Sequence, residues 1–130
     1  MFLLIRSEDK QAQVMLYQSH ELVSEHSWEA HRSLSDTLLL VIKDELAKQN
    51  KTFQDISGVG VYAGPGSFTG LRISHAVANS LSYGLDIPAV NSTGDDWAKD
   101  CVKRLMDNPK SRNIVTPEYG REARITKQRK

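Results

Sequence analysis

The sequence predicts an α/β fold in which helices pack on a mixed five-stranded sheet. Residues 2–6, 12–17 and 21–28 carry apolar residues between polar ones and are separated by turn-prone residues, which predicts an antiparallel meander of three strands. After the meander, helical and strand patterns alternate, as is typical of parallel strands joined by helical crossovers. Two strands are expected in this second part.

The first helix is predicted over residues 33–48, where apolar residues recur at three- and four-residue spacing and Asn50 is placed to end it. The unbroken run from Leu38 to Ile42 is apolar on all sides for more than one turn. A helix that lies on a sheet needs an apolar stripe of only about 100°. We therefore expect a second element to cover this helix, either a later part of the same chain or a partner.

The second part of the chain contains the two parallel strands. Residues 58–63 are small and β-branched, which indicates a central buried strand. A helix is predicted at 70–83, where small residues permit the close approach of another element. A short strand at 87–90 and a third helix at 95–106 follow. Residues 107–117 are expected to form a loop.

Charge divides the chain into a lobe at residues 1–109 and a basic C-terminal tail at residues 110–130. The lobe holds ten basic and fourteen acidic side chains (−4), and the tail seven basic and two acidic (+5). Such a tail is suited to RNA phosphates or an acidic protein surface, and a solvated terminus is the alternative. With 39% hydrophobic residues and no apolar stretch of the ~20 residues that cross a bilayer, we expect a cytoplasmic protein without a membrane anchor.

No catalytic or metal-binding residue is predicted. Cys101 is the only cysteine, and a lone thiol in a predicted helix is more often a small apolar filler than a nucleophile. The four histidines lack the spacing of a metal site. Ser67 lies outside the nucleophile-elbow pattern, which favours a turn or capping role.

The most informative segment is a glycine-rich loop made of Gly64, Pro65, Gly66, Ser67, Phe68, Thr69 and Gly70. Three glycines between a strand and a helix allow a tight turn, and amide groups at a helix N-terminus bind anions. Leu71-Arg72 stands where a P-loop needs Lys followed by Ser or Thr, so the loop is not a Walker A motif. Direct nucleotide binding by this loop stays open as an alternative function.

Residues 64–73 and the following Ile87-Pro88 resemble the signature of the TsaB (YeaZ) family of tRNA threonylcarbamoyladenosine biosynthesis proteins. The resemblance extends back to residues 34–36 and forward to residues 117–121, which are similar to the closing Pro-x-Tyr-x-Arg motif of that family. It implies one lobe of the actin-like ATPase (ribonuclease H-like) fold, in a shortened form that lacks most of the second lobe.

The resemblance also implies a function. Members of this family act as non-catalytic scaffolds that pair with a TsaD-like catalytic subunit and work with a TsaE-like ATPase, and the complex modifies a tRNA adenosine next to the anticodon. No cofactor is then expected in this chain, whereas ATP and a metal ion belong to the partner subunits. Arg6-Ser7-Glu8 stands where the family has Asp-Thr-Ser, which argues against ATP hydrolysis by this chain.

The family pairs through its two N-terminal helices, which the resemblance places at residues 33–48 and 70–83. The residues expected on the partner surface are Ser35, Leu38, Leu39, Ile42, Arg72, Ala76, Asn79 and Ser80. An apolar helix face that awaits a partner also makes a homodimer of the isolated chain an expectation.

Overall fold

The computed structural model describes residues 1–8, 11–30, 34–66, 68–110 and 114–118, without the side chains of Glu8 and Phe68. Eight labelled elements follow one another in these ranges: β1 (Phe2–Glu8), β2 (Gln11–Gln18), β3 (Glu21–Glu29), α1 (Leu34–Lys48), β4 (Gly58–Tyr62), α2 (Phe68–Leu85), β5 (Ala89–Ser92) and α3 (Trp97–Asp107). A 3₁₀ turn at Phe53–Asp55 precedes β4.

The strands form one mixed sheet in the order β3-β2-β1-β4-β5. β1, β2 and β3 are antiparallel neighbours, whereas β4 lies parallel to both β1 and β5. In the centre of the sheet, Leu4 of β1 is paired with Met15 of β2 and with Gly60 of β4. The predicted α/β class, with a three-stranded meander and two parallel strands, is confirmed.

The two faces of the sheet bury separate sets of side chains, because successive residues of a strand point to opposite faces. Leu3 and Ile5 belong to the core beneath α1 and α2, and Leu4 to the core beneath α3. Alpha-helix α1 packs on β2, β3 and α2, and α2 packs on β1 and β4. The helices α1 and α2 therefore share one face of the sheet, and α3 covers the other.

Close contact between α3 and the sheet depends on the glycines of β4. A Cβ atom at Gly60 would lie 2.7 Å from the Cβ of Cys101, and one at Gly58 would lie 2.9 Å from Leu105. Cys101 is fully buried at this contact, and burial raises the pKa of its thiol to about 12. The thiol is thus protonated at neutral pH and fills space between helix and strand.

Residues 114–118 lie against the lobe, although the sequence predicts loop and tail there. Val115 is buried in the core beneath α1 and α2. The amide of Glu118 donates a 2.7 Å hydrogen bond to the carbonyl of Ala63, just past the end of β4. The contacts of the lobe therefore extend beyond the predicted boundary at residue 109, and residues 119–130 of the predicted tail lie outside the described residues.

Candidate functional site

Helix α1 divides its apolar run between the core and the surface. Leu38 and Ile42, two of the residues predicted on the partner surface, are fully buried. They recur every fourth residue with Leu34 and Leu46, and this stripe faces the sheet. Leu39, by contrast, is 46% exposed. A partner that contacts α1 therefore meets Leu39, not Leu38 or Ile42.

Leu40 enlarges the exposed apolar part of α1. Its side chain is 61% exposed, more than that of Leu39. Ser35 is also exposed and lies one helical turn before Leu39. Leu40 is not among the residues predicted on the partner surface, although the four-residue spacing of the buried stripe places it on the outer side. Large exposed apolar side chains in a cluster are typical of protein interaction sites.

Helix α2 presents a second exposed stripe. Arg72, Ala76 and Ser80 follow one another at four-residue spacing and are all exposed, as the sequence predicts for residues of one helix side. Tyr83 is 91% exposed and prolongs the stripe, although it was not predicted as a site residue. Because α1 and α2 pack on the same face of the sheet and contact each other, their outward sides form one surface. We call this the α1–α2 surface.

Asn79 has a different role from the one predicted for it. Its Nδ2 atom donates to the carbonyl of Val115 at 2.9 Å, and its Oδ1 atom accepts from the amide of Val115 at 3.0 Å. The amide group of Asn79 is thus engaged within the chain. Ile114, the residue next to Val115, is 80% exposed.

A salt bridge fixes the C-terminal half of α1. Glu45 is 3% exposed, and its carboxylate lies 2.8 Å from the Nζ atom of Lys48 and accepts a hydrogen bond from Ser24 of β3. Burial alone would raise the pKa of Glu45, but the hydrogen bonds from Lys48 and Ser24 outweigh it and hold the pKa below its ordinary value. The ionised carboxylate therefore joins α1 to the sheet.

The glycine-rich loop starts at a position that only glycine fits. Gly64 has a φ of 113°, and a Cβ atom there would lie 2.3 Å from the carbonyl oxygen of Glu118. Three other residues of the loop are exposed: Pro65, Gly66 and Thr69. Ser67 and the side chain of Phe68 lie outside the described residues.

The end of β1 does not fit a metal and nucleotide site. The guanidinium of Arg6 lies 4.1 Å from the centre of the Tyr62 ring, so a cation stands where a metal site needs an acidic ligand. The hydroxyl of Ser7 is buried and donates to the carbonyl of Gly70 at 2.6 Å. In the part of the chain that the structure describes, no three His, Cys, Asp or Glu side chains are grouped to hold a metal ion, and no helix is long and apolar enough to cross a membrane.

Comparison with known proteins gives one family. The model of the family described as "TsaD: tRNA N6-adenosine threonylcarbamoyltransferase" matches residues 26–92. The tRNA threonylcarbamoyladenosine biosynthesis protein TsaB of Escherichia coli is 31% identical over 99 residues, which are 70% of this chain and 43% of the relative. The TsaB of Buchnera aphidicola subsp. Baizongia pistaciae is 42% identical over 55 residues, which are 42% of this chain and 25% of the relative.

A solved structure shows the same fold. YeaZ from Pseudomonas aeruginosa superimposes with a TM-score of 0.65 at 23% identity, covering 71% of this chain and 43% of the solved chain. The chain thus spans less than half the length of each of these three proteins. The matched region contains the last four residues of β3 and all of α1, β4, α2 and β5.

Proposed function

This chain belongs to the TsaD-type family, within it to the TsaB (YeaZ) group, and from that premise we propose that it is a non-catalytic scaffold of tRNA threonylcarbamoyladenosine biosynthesis. In this proposal it pairs in the cytoplasm with a TsaD-like catalytic subunit and works with a TsaE-like ATPase. The tRNA is bound by the assembled complex.

The observation that carries this proposal is the α1–α2 surface. Two large leucines, 46% and 61% exposed, lie on α1, and the neighbouring helix α2 carries an exposed stripe of small residues with Arg72 at one end and Tyr83 at the other. Interface cores are apolar and use aromatic and Arg side chains as anchors, with small residues where two backbones approach. A partner of matching chemistry offers an apolar groove for Leu39 and Leu40 and an acidic group opposite Arg72.

The chemistry at the end of β1 supports the non-catalytic part of the proposal. Arg6 opposes a bound metal ion electrostatically, and the buried hydroxyl of Ser7 is committed to Gly70. We therefore assign ATP and the metal ion to the partner subunits. This chain contributes shape and binding energy.

A second candidate function is direct nucleotide binding by residues 64–70. It is favoured by one observation: the loop leads straight into α2, whose first amide groups are suited to an anion. If it holds, the isolated chain binds ATP in calorimetry and Gly66→Val abolishes the binding, because a branched side chain blocks the approach of phosphate to the backbone. Absence of any heat from ATP excludes this function.

The scaffold proposal is tested with two matched substitutions. Leu39→Asp places a charge in the α1–α2 surface, and Leu22→Asp places one at a leucine of similar exposure, 43%, on the edge strand β3. By calorimetry with the TsaD-like protein of the same organism, we expect Leu39→Asp to weaken binding by at least about 2 kcal/mol, as for a hot-spot residue, and Leu22→Asp to leave it unchanged. Equal losses for the two variants, or none, contradict the proposed interface.

The same surface explains the expected homodimer. Without its partner, the chain exposes the leucines of α1 to water, and self-association buries them. We propose that any homodimer of the isolated chain uses this surface and dissociates when the TsaD-like subunit is added. A homodimer that persists in the presence of the partner contradicts a shared interface.

A further inference from the structure

Residues 114–118, which we call the strap, are held on the lobe mainly through their backbone. Asn79 of α2 binds both the amide and the carbonyl of Val115. Asn91 of β5 donates from Nδ2 to the carbonyl of Thr116 at 2.7 Å. Together with the bond from the Glu118 amide to Ala63, these contacts lead the strap from α2 across β5 to the start of the glycine-rich loop.

A buried histidine lies next to the central contact. His75 of α2 is 2% exposed, and its Nδ1 atom lies 2.8 Å from the carbonyl of Leu71. A carbonyl only accepts, so Nδ1 carries the proton of the neutral ring and Nε2 has a free lone pair. The Nδ2 atom of Asn91 lies 3.3 Å from this Nε2 and can donate to it.

The orientation of the Asn91 amide follows from its second contact. The carbonyl of Thr116 is also a pure acceptor, so the Asn91 atom that faces it at 2.7 Å is the NH₂ group. Its two hydrogens are then shared between Thr116 and His75. With the ring neutral, every donor in this chain of contacts has an acceptor.

A proton on His75 breaks this arrangement. Protonation places an N–H on Nε2, which then faces the N–H of Asn91 across 3.3 Å. If the Asn91 amide turns over, its oxygen accepts from Nε2 but faces the carbonyl oxygen of Thr116. In either orientation one contact is repulsive, so the bond between Asn91 and the strap is lost or strained.

We propose that His75 is a protonation-controlled latch: the strap is docked while the ring is neutral and is released when the ring takes up a proton. Release frees three groups: the amide of Asn79 on α2, the cavity filled by Val115, and the backbone of Gly64, on which Glu118 rests. The latch therefore controls access to the start of the glycine-rich loop and to one side of α2. It does not depend on the scaffold function.

The charged side chains on the elements around His75 are paired with one another or exposed at the surface. The strands β4 and β5 carry no charged side chain. Across Asn91, Arg104 of α3 donates to the Asn91 carbonyl at 2.9 Å and is paired with Asp100 at 3.1 Å. The strap contributes the exposed Glu118.

Two further elements pack against α2 and bring charges of their own. On β1, Arg6 lies over the Tyr62 ring, in the core of the opposite sheet face. On α1, the buried Glu45 is paired with Lys48. On α2 itself, Arg72 is exposed, one turn before His75.

The direction of the pH effect follows from the ring's surroundings. Burial lowers the pKa of His75, although the hydrogen bond to the Leu71 carbonyl opposes this. The docked state therefore binds fewer protons than the released state, in which the ring regains an ordinary pKa of about 6.5. Docking is complete above that pH and weakens by up to about tenfold per pH unit below it, until the lowered pKa is reached.

The test is amide hydrogen exchange on the full chain, read residue by residue by NMR at about pH 7.5 and about pH 5 and corrected for intrinsic exchange rates. The amides of Val115 and Glu118 both donate from the strap. We expect their protection to fall about tenfold or more at the lower pH, while Leu4 in the central strand keeps its protection. Unchanged strap protection in the wild-type chain, or a parallel loss at Leu4, overturns the proposal.

Two variants separate the latch from general acid sensitivity. His75→Gln keeps an acceptor for Asn91 but cannot titrate, so the strap should stay protected at both pH values. His20→Gln alters an exposed histidine in the turn between β2 and β3 and should keep the wild-type pH response. A pH response that survives in His75→Gln, or one that disappears in His20→Gln, contradicts the latch.

Discussion

Single residues set how closely the layers of this protein pack. The glycines of β4 let α3 lie directly on the sheet, and the glycine at the start of the loop lets the backbone of Glu118 pass. The small and branched residues of β4 indicated a buried strand, but not which positions face the helix. Which positions of β4 face the helix depends on how α3 lies along the strand, and no local sequence pattern predicts that arrangement.

We predict that Gly60→Ala destabilises the fold by about 1–3 kcal/mol, the usual cost of an overpacked core. The added methyl group would lie 2.7 Å from the Cβ of Cys101, so α3 has to move. Gly84→Ala is the matched control, because a Cβ there meets nothing within 4 Å. In helix α2 it should stabilise by about 0.5–1 kcal/mol. Urea unfolding measures both, and a neutral Gly60→Ala refutes the close contact.

At the scale of elements, the apolar pattern of helix α1 predicts the helix but does not by itself say which residues face the core. The apolar run correctly predicted a helix with more apolar surface than a sheet can cover. The resemblance places Leu38 and Ile42 on the partner surface, whereas the structure buries both. The four-residue spacing from Leu34 to Leu46 separates the core side from the outer side.

The docking of the strap on the lobe could not be predicted from a sequence pattern. Asn79 and Asn91 bind carbonyl and amide groups of the backbone, and every residue offers those groups. The strap therefore needs no distinctive sequence apart from a residue such as Val115 that can be buried. Its docking depends on long-range geometry.

The attachment of α1 to the sheet gives a pH prediction at this scale. The pKa of Glu45 is below its ordinary value in the folded chain, so the unfolded chain binds the proton more readily. Stability from this group is present above about pH 4.3 and is lost as the pH falls through the lowered pKa. We expect Glu45→Gln to be less stable than wild type at neutral pH, with the difference shrinking in acid. Thermal unfolding from about pH 7 to pH 3 measures this, and a difference that grows in acid contradicts it.

A second prediction concerns the hold of α2 on the strap. Asn79→Ala removes two hydrogen bonds to Val115 and leaves its amide and carbonyl unsatisfied beside the core. We expect a loss of about 1–3 kcal/mol in unfolding free energy and faster exchange at the Glu118 amide. Ser80→Ala, at an exposed position one residue further along α2, serves as the control. Equal effects from the two variants would show that the Asn79 contacts contribute nothing.

At the scale of the whole molecule, the fold brings the exposed sides of α1 and α2 to the same face of the sheet. The sheet order and the parallel pairing of β4 place both helices on one face, so the exposed leucines of α1 and the exposed small residues of α2 belong to neighbouring helices on that face. The sequence predicted this pair of helices from periodicity and from resemblance. It could not predict that Tyr83 and Ile114 add to the exposed apolar residues, because isolated apolar residues near helix ends and in loops are equally common in cores.

The pairing of this chain with a TsaD-like subunit is tested by size-exclusion chromatography with light scattering on this chain, on the TsaD-like protein of the same organism, and on their mixture. We expect one new peak whose mass equals the sum of one copy of each protein, at micromolar concentration and without added nucleotide. Two separate peaks at the masses of the isolated proteins would contradict the proposed pairing, because a scaffold has to bind its catalytic partner.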